Sequence, residues 1–347
     1  MAPPQLPLAR HASTTLVAGL AVALAGALAA APPSLQSEAP PPAAPLPTPA
    51  PAEPEPDPTP APVPVPTARA DAALDRRGRS AFEGGYLALT PDFASPDGIY
   101  DVIIHFHGNT ELVEQSLAYG HLGAVFVPQN LGVGSGPYEA RFSPPGALPA
   151  LLARVQAVME RRGLAHARLG RVALLAWSAG YGAVLRILEH PEVAETIDAI
   201  VLLDGIHIGR VPGHRAPAVE QIAPYERFAR WAVEGRKLLT ITHSDIAPDA
   251  YVGARDTTDV LLRRLDVLRY AAGEEGMVPD IPAAEGVLSR QLRVPLQPLT
   301  LADKGQLRVR GYAGDQAEHH VHHLLEMATI ALPDLAAWWA RPRDGSP

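Results

Sequence analysis

The chain has 347 residues, 47% apolar and 19% charged, enough for two average domains or one large α/β domain. Its formal net charge of −8 argues against a nucleic-acid binder, whose affinity rests on clustered Lys and Arg against phosphates. It contains no cysteine, which excludes disulfides, thiolate metal sites, a cysteine nucleophile and a lipid-modified N-terminal Cys, and leaves export open.

Arg10 and His11 precede an uncharged apolar stretch from Thr14 to Ala31. A positive start, an apolar run and small residues at Ala27, Ala29 and Ala31 read as a secretory signal with an A-x-A-like cleavage site. The run has 18 residues, long enough to span a bilayer, so an uncleaved N-terminal membrane anchor is the alternative. Either reading of residues 1–31 sends the rest of the chain outward, to the periplasm, the medium or the outer face of a membrane. Residues 32–69 form the next unit, and Pro32–Pro66 holds 16 of the 38 prolines, ending in EPEPDPTPAPVPVP. Proline has a fixed φ and no amide donor, so this stretch cannot pair into a sheet or wind as an α-helix. It reads as an extended spacer that holds the following domain away from a membrane or wall.

Residues 70–347 alternate strand-like and helix-like runs. Strands are predicted over Tyr100–Phe106, Gly123–Gln129, Arg171–Trp177, Ile197–Leu203, Lys237–His243 and, last, Gln306–Tyr312. Helices are predicted over Thr110–Tyr119, Ala147–Arg162, Ala179–His190 (stopped by Pro191), near Tyr225–Glu234, and over Thr258–Arg269. Continuous Val, Ile and Leu runs without polar alternation belong to strands covered on both faces. Their alternation with helices implies right-handed crossovers and a mostly parallel sheet in one α/β domain.

Ala176-Trp177-Ser178-Ala179-Gly180 stands between the strand RVALLAW and a helical stretch. A serine on a sharp strand-to-helix turn has its hydroxyl pushed out above the sheet. Small residues two before and two after it, here Ala176 and Gly180, let the two backbones approach. The helix start behind it offers amides and a positive dipole end to a developing oxyanion. The plainer reading makes Ser178 a helix cap. The Gly-rich run Leu131–Tyr138 fails the GxGxxG register, because Pro137 stands where the third Gly belongs, and it lacks GK[ST]. It reads as a loop rimming a site, with Tyr138 either lining a pocket or packing. The segment Gly205–Tyr225, with Arg210, His214 and Arg215, reads as a lid, a rim or a plain connection.

With its HFHG strand end, its NLG-G-SGPY segment and its A-W-S-A-G-Y-G turn, the chain resembles the α/β-hydrolase superfamily, and within it bacterial secreted hydrolases. The resemblance spans roughly residues 82–340 and implies an α/β-hydrolase fold: a mostly parallel eight-strand sheet with helices on both faces. It implies a Ser-His-acid triad in the order serine, acid, histidine, with Ser178 as nucleophile. It also implies an oxyanion hole from the amides of Ala179 and Asn109, with Gly108 letting the loop approach and His107 holding that loop. In the sequences it resembles the base stands six residues after a Gly, which, carried over to Gly314, implies His320 as the base, with His319 the alternative and His322 and His323 as neighbours. Asp204, ending the strand after the turn, is favoured as the acid, and Asp245, one strand further, is the alternative. Four late histidines also raise a metal reading. No second ligand cluster with carboxylates accompanies them, so neither a metal nor a cofactor is assigned.

Together these features predict a serine hydrolase that cleaves a small-molecule or cell-envelope ester or amide outside the cytoplasm, with no nucleic-acid partner. The rival is a hydrolase fold without turnover, a tethered binding or scaffolding protein.

Overall fold

The computed structural model describes residues 74–82, 84–273 and 296–342. The predicted leader and the proline spacer lie outside the described residues. Ten strands share one sheet: β1 (Ser80–Phe82), β2 (Gly85–Leu89), β3 (Ile99–Phe106), β4 (Val125–Gln129), β5 (Arg168–Trp177), β6 (Ala199–Leu203), β7 (Leu238–His243), β8 (Tyr270–Ala271), β9 (Pro298–Lys304) and β10 (Leu307–Tyr312). Their order is β1-β2-β4-β3-β5-β6-β7-β10-β9-β8. The six strands from β4 to β10 in that order are parallel, and antiparallel strands flank them at both edges. The sheet is the mostly parallel one expected, carrying two strands beyond eight.

Ten helices connect these strands among the described residues: α1 (Thr110–Tyr119), α2 (Gly136–Phe142), α3 (Ala147–Arg161), α4 (Tyr181–Leu188), α5 (Pro191–Ala194), α6 (Ala223–Val233), α7 (Ala254–Leu265), α8 (Ala317–Leu325), α9 (Met327–Ile330) and α10 (Leu332–Trp339). No helix among the described residues is long and apolar enough to cross a membrane.

The period-two alternation of strand side chains sorts the core into two layers. Val102, Ile104, Val172, Leu174, Ile200 and Leu202 pack with α3, α4, α6 and α7 on one face. Ile103, Ala173, Leu175, Val201 and Leu203 pack with α1 and α8 to α10 on the other. Both faces are buried, which is why the central strands read as unbroken apolar runs.

Three boundaries differ from expectation. The helix after Ser178 begins as a 3-10 turn and ends at Leu188, and Pro191, expected only as a stop, is the first residue of α5. Proline suits a first helical position, where its missing amide has no partner to lose. Helix α7 starts at Ala254 instead of Thr258 and ends where Asp266 takes a left-handed conformation. Thr257 and Thr258 stay buried in it because their hydroxyls bond back to the Val252 and Ala254 carbonyls. The stretch Gly136–Tyr138, expected as loop, opens α2 with Pro137 in its first turn.

Where β5 turns into α4, the backbones come close enough to dictate composition. A Cβ on Gly180 would collide with the Phe106 carbonyl of β3, and one on Gly205 would lie 2.8 Å from both N and O of Ser178. Gly180→Ala is therefore expected to destabilise the fold by about 2 kcal/mol or more, a fall of roughly 2–4 °C in Tm for each kcal/mol. An unchanged Tm in thermal unfolding would show that strand and helix separate at no cost.

Candidate active site

The parallel strands β3, β5, β6 and β7 end on one side of the sheet, and the loops leaving them carry His107, Ser178, Asp204 and Ser244. Crevices outside the carboxyl ends of parallel strands are where α/β sheets place their ligands. Ser178 and Asp204 sit at adjacent strand ends, both left-handed, with φ of 50° and 44°. An L-residue pays steric strain in that region unless its surroundings enforce it. Here the enforcement is visible: Gly205 lies against the Ser178 backbone, and the Asp204 amide donates to the Thr242 carbonyl at 2.8 Å.

Asp204 is 3% exposed, and its carboxylate accepts three hydrogen bonds. The Ser244 amide donates to Oδ1 at 2.8 Å, the Ser244 hydroxyl to Oδ2 at 2.7 Å, and His320 Nδ1–H to Oδ2 at 2.7 Å. Burial works to raise its pKa, but His323, His320 and the Ser244 amide outweigh burial and hold the carboxyl far below the usual carboxylate range. An ionised Asp204 puts the His320 proton on Nδ1. The other ring nitrogen, Nε2, is buried with no hydrogen-bond partner among the described residues. His320, Asp204, Ser178 and Ala179 line one cleft of ≈ 480 Å³. A shallower hollow at Asp97, Glu160 and His166 contains none of them.

The His320 ring is held from its flat side. Trp177 stacks on it with centroids 4.9 Å apart and planes 28° apart, and the indole N–H donates to the His320 carbonyl at 3.0 Å. Trp177 also stacks on His107, at 5.3 Å and 9°. His107 has φ of 71°, and its Nδ1 lies 2.9 Å from the Tyr138 hydroxyl. That hydroxyl also accepts from the Leu131 amide, so Tyr138 is buried as a brace for the loops. It is not among the residues lining the cleft. Below, His105 Nε2–H donates to the His107 carbonyl at 2.6 Å.

The remaining sequence candidates take other places. Asp245 pairs with Arg255 at 2.8 Å, and its amide donates to the Gly314 carbonyl, so its carboxylate serves a surface ion pair. His319 Nδ1 accepts from the Gln316 amide as part of the α8 cap. His322 Nδ1 lies 3.0 Å from Glu326, and His323 Nδ1 lies 2.8 Å from the Thr242 hydroxyl. Among the described residues no group of three or more His, Cys, Asp or Glu is arranged to hold a metal ion. Asn109 caps α1, its side chain accepting from the Glu111 and Leu112 amides, and it is exposed and not among the cleft-lining residues. The segment after Gly205 is a rim: Ile208 bridges Val252, Arg210 bridges Pro217, and His207, Gly209, Glu220 and Gln221 line the cleft.

Ser244, Trp177 and His207 carry parts of the site that sequence reasoning did not assign. The parallel register pairs Leu203 with Thr242, which puts Asp204 level with His243 and Ser244 one residue beyond, close enough to hydrogen-bond the carboxylate. His207 carries no motif.

No family model matches the chain, and no curated protein matches it. Solved structures similar to it include the enterochelin esterase of Shigella flexneri, with a TM-score of 0.41 and 11% identity over 72% of this chain. The chain spans 54% of that esterase's length. The siderophore hydrolase EstB of Aspergillus nidulans has a TM-score of 0.37 and 13% identity over 80% of this chain and 100% of its own. The haloalkane dehalogenase DbeA of Bradyrhizobium elkani has 0.37 and 10%, over 76% and 98%.

The buried histidines set a pH dependence. Burial pushes His105 down to about 3, and His243 and His323 down to about 4. In the unfolded chain each returns to about 6.5. Between those values the unfolded chain binds protons that the folded chain refuses, so stability is fully present above about pH 6.5 and falls as pH drops. Thermal unfolding should show Tm falling between about pH 6.5 and 4.5, as stability drops by on the order of 1–3 kcal/mol per histidine at the lower end. His323→Gln should flatten that slope. A Tm independent of pH across this window would show that these rings are not held neutral.

Proposed function

We propose that the protein is a serine hydrolase that cleaves an ester or amide through an acyl-enzyme. The observation that carries this reading is the buried His320–Asp204 hydrogen bond, which leaves His320 Nε2 without a partner among the described residues while His320 and Ser178 line the same cleft. In this reading His320 Nε2 removes the Ser178 proton as Oγ attacks the acyl carbon, and then returns it to the leaving group. Asp204 fixes the tautomer and stabilises the imidazolium, and Ser244 keeps the carboxylate ionised and aimed. Water then releases the acyl group. The amide of Ala179, at the start of the turn into α4, is the first oxyanion donor. The resemblance points to the amide of Asn109 as the second; Asn109 lies outside the cleft lining, and among the described residues no backbone carbonyl outside the helices and strands accepts from its amide. Trp177 holds the His320 ring, and an indole face against a developing imidazolium favours it electrostatically.

The second reading, a hydrolase fold without turnover, is tested by a fluorophosphonate probe. Labelling of Ser178 is expected, and folded protein that resists the probe would favour a binding role. Ser178→Ala and His320→Ala should each lower kcat on p-nitrophenyl esters by about 10⁴–10⁶, and Asp204→Asn by roughly 10⁴. Asp245→Asn and His319→Ala should stay within about a factor of ten of wild type. A large loss in Asp245→Asn with a small one in Asp204→Asn would move the acid to β7.

We further propose that the enzyme acts outside the cytoplasm. The support is the charge-free apolar run of residues 14–31 after Arg10, followed by the proline spacer. Fractionation of cells producing a C-terminally tagged full chain should place it in the envelope, periplasm or medium. Recovery in the cytosol with Met1 intact would overturn this part.

A further inference from the structure

We propose that His207 is the hydrogen-bond acceptor that selects this enzyme's substrate, an ester or amide carrying an uncharged hydroxyl or amide N–H that reaches the His207 ring. The inference rests on the serine hydrolase reading and adds the substrate class to it.

His207 follows Asp204 by three residues and lines the cleft together with Ser178 and His320. Its Nδ1 lies 3.1 Å from the Val252 carbonyl oxygen. A carbonyl oxygen only accepts, so the proton is on Nδ1 and Nε2 carries a bare lone pair. His207 has no second hydrogen-bond partner among the described residues, and it is half-buried on the cleft wall. The ring cannot easily turn away. Tyr181 meets it edge to face at 5.0 Å and 79°, and Tyr251 at 4.8 Å and 70°. Desolvation pushes its pKa down to about 4, so it stays a neutral acceptor at neutral pH, although Asp204 pulls the other way. A fixed tautomer, a fixed ring and a lone pair without a partner among the described residues together make a site for one donor.

The rest of the cleft narrows the class. Leu185, Ile208 and Ile246 supply apolar wall. Among the described residues Arg186 is the only Lys or Arg lining the cleft, and Glu139 and Glu189 already hold it at 2.7 and 2.8 Å. Glu220 adds a further carboxylate. A free carboxylate on the substrate would meet like charge there, so the donor is expected on an otherwise neutral, partly apolar molecule. A site built around a hydrogen bond rejects the analogue that lacks it far more strongly than an apolar pocket rejects a missing methylene.

The test uses two isosteric pairs, one varying the acyl group and one the alcohol. They are p-nitrophenyl N-acetylglycinate against p-nitrophenyl levulinate, where N–H becomes CH₂, and hydroxyethyl butyrate against propyl butyrate, where O–H becomes CH₃. In the wild type the donor-bearing member of at least one pair should have kcat/KM higher by about tenfold or more. His207→Phe keeps a flat ring between the two tyrosines and removes the acceptor, so it should bring that ratio to about one. His207→Gln, whose side-chain oxygen can accept, should restore part of it. Fluorophosphonate labelling of Ser178 in each variant shows that the nucleophile is still competent. Labelling with no preference in either pair, or a preference that survives in His207→Phe, overturns the inference and leaves the hydrolase reading standing. Absence of labelling in folded wild-type protein overturns the hydrolase reading itself.

Discussion

Asp204 carries a full charge at a place almost closed to water, and the cleft around it is arranged to make that tolerable. An ionised carboxylate loses its hydration on burial and must regain it from fixed donors. Two donors come from Ser244, whose position follows from the parallel pairing of β6 with β7. The third is His320, brought 116 residues along the chain by β10 and α8. The carboxylate thus ties three elements that local sequence does not connect, and removing any one donor would leave a buried charge short of a partner.

The same economy of space explains the small residues around the serine. The left-handed turn at Ser178 is possible because Gly180 lets the helix start press against β3, and Gly205 lets the end of β6 press against the turn itself. Ser178 and Asp204 are therefore held by one contact between two strained strand ends. Pre-organisation of this kind places the cost of orientation in folding and not in the chemical step.

Much of this was legible in the sequence. The strands β3, β5, β6, β7 and β10 lie within about two or three residues of their apolar runs, because burial on both faces leaves a signal that no loop shares. The edge strands β1, β2, β8 and β9 were not seen. Gly85–Leu89 is only five residues long, Ser80–Phe82 three, and Pro298–Lys304 opens on a residue that suits an edge and reads as a breaker. Such strands take their conformation from the neighbour they pair with, which a local pattern does not record. In the site, the turn around Ser178 was readable because steric need imposes residue types at fixed spacing. The choice among His319, His320, His322 and His323 was not readable from residue type, since all four sit within one helix. It is made in space, where only His320 among them hydrogen-bonds Asp204. His207 left no trace in sequence because its role depends on a carbonyl 45 residues away.

The stack that holds His320 also makes the molecule its own optical probe. Of the chain's four tryptophans, Trp231, Trp338 and Trp339 each lie beside an arginine, whose charge does not change over the working pH range. Trp177 alone among them stacks on imidazoles, those of His107 and His320. The excited state of an indole responds to charge and polarity at its face, so part of the intrinsic fluorescence reports on the centre of the cleft. Occupation of the cleft beside the His320 ring can then be followed by emission in the unlabelled protein.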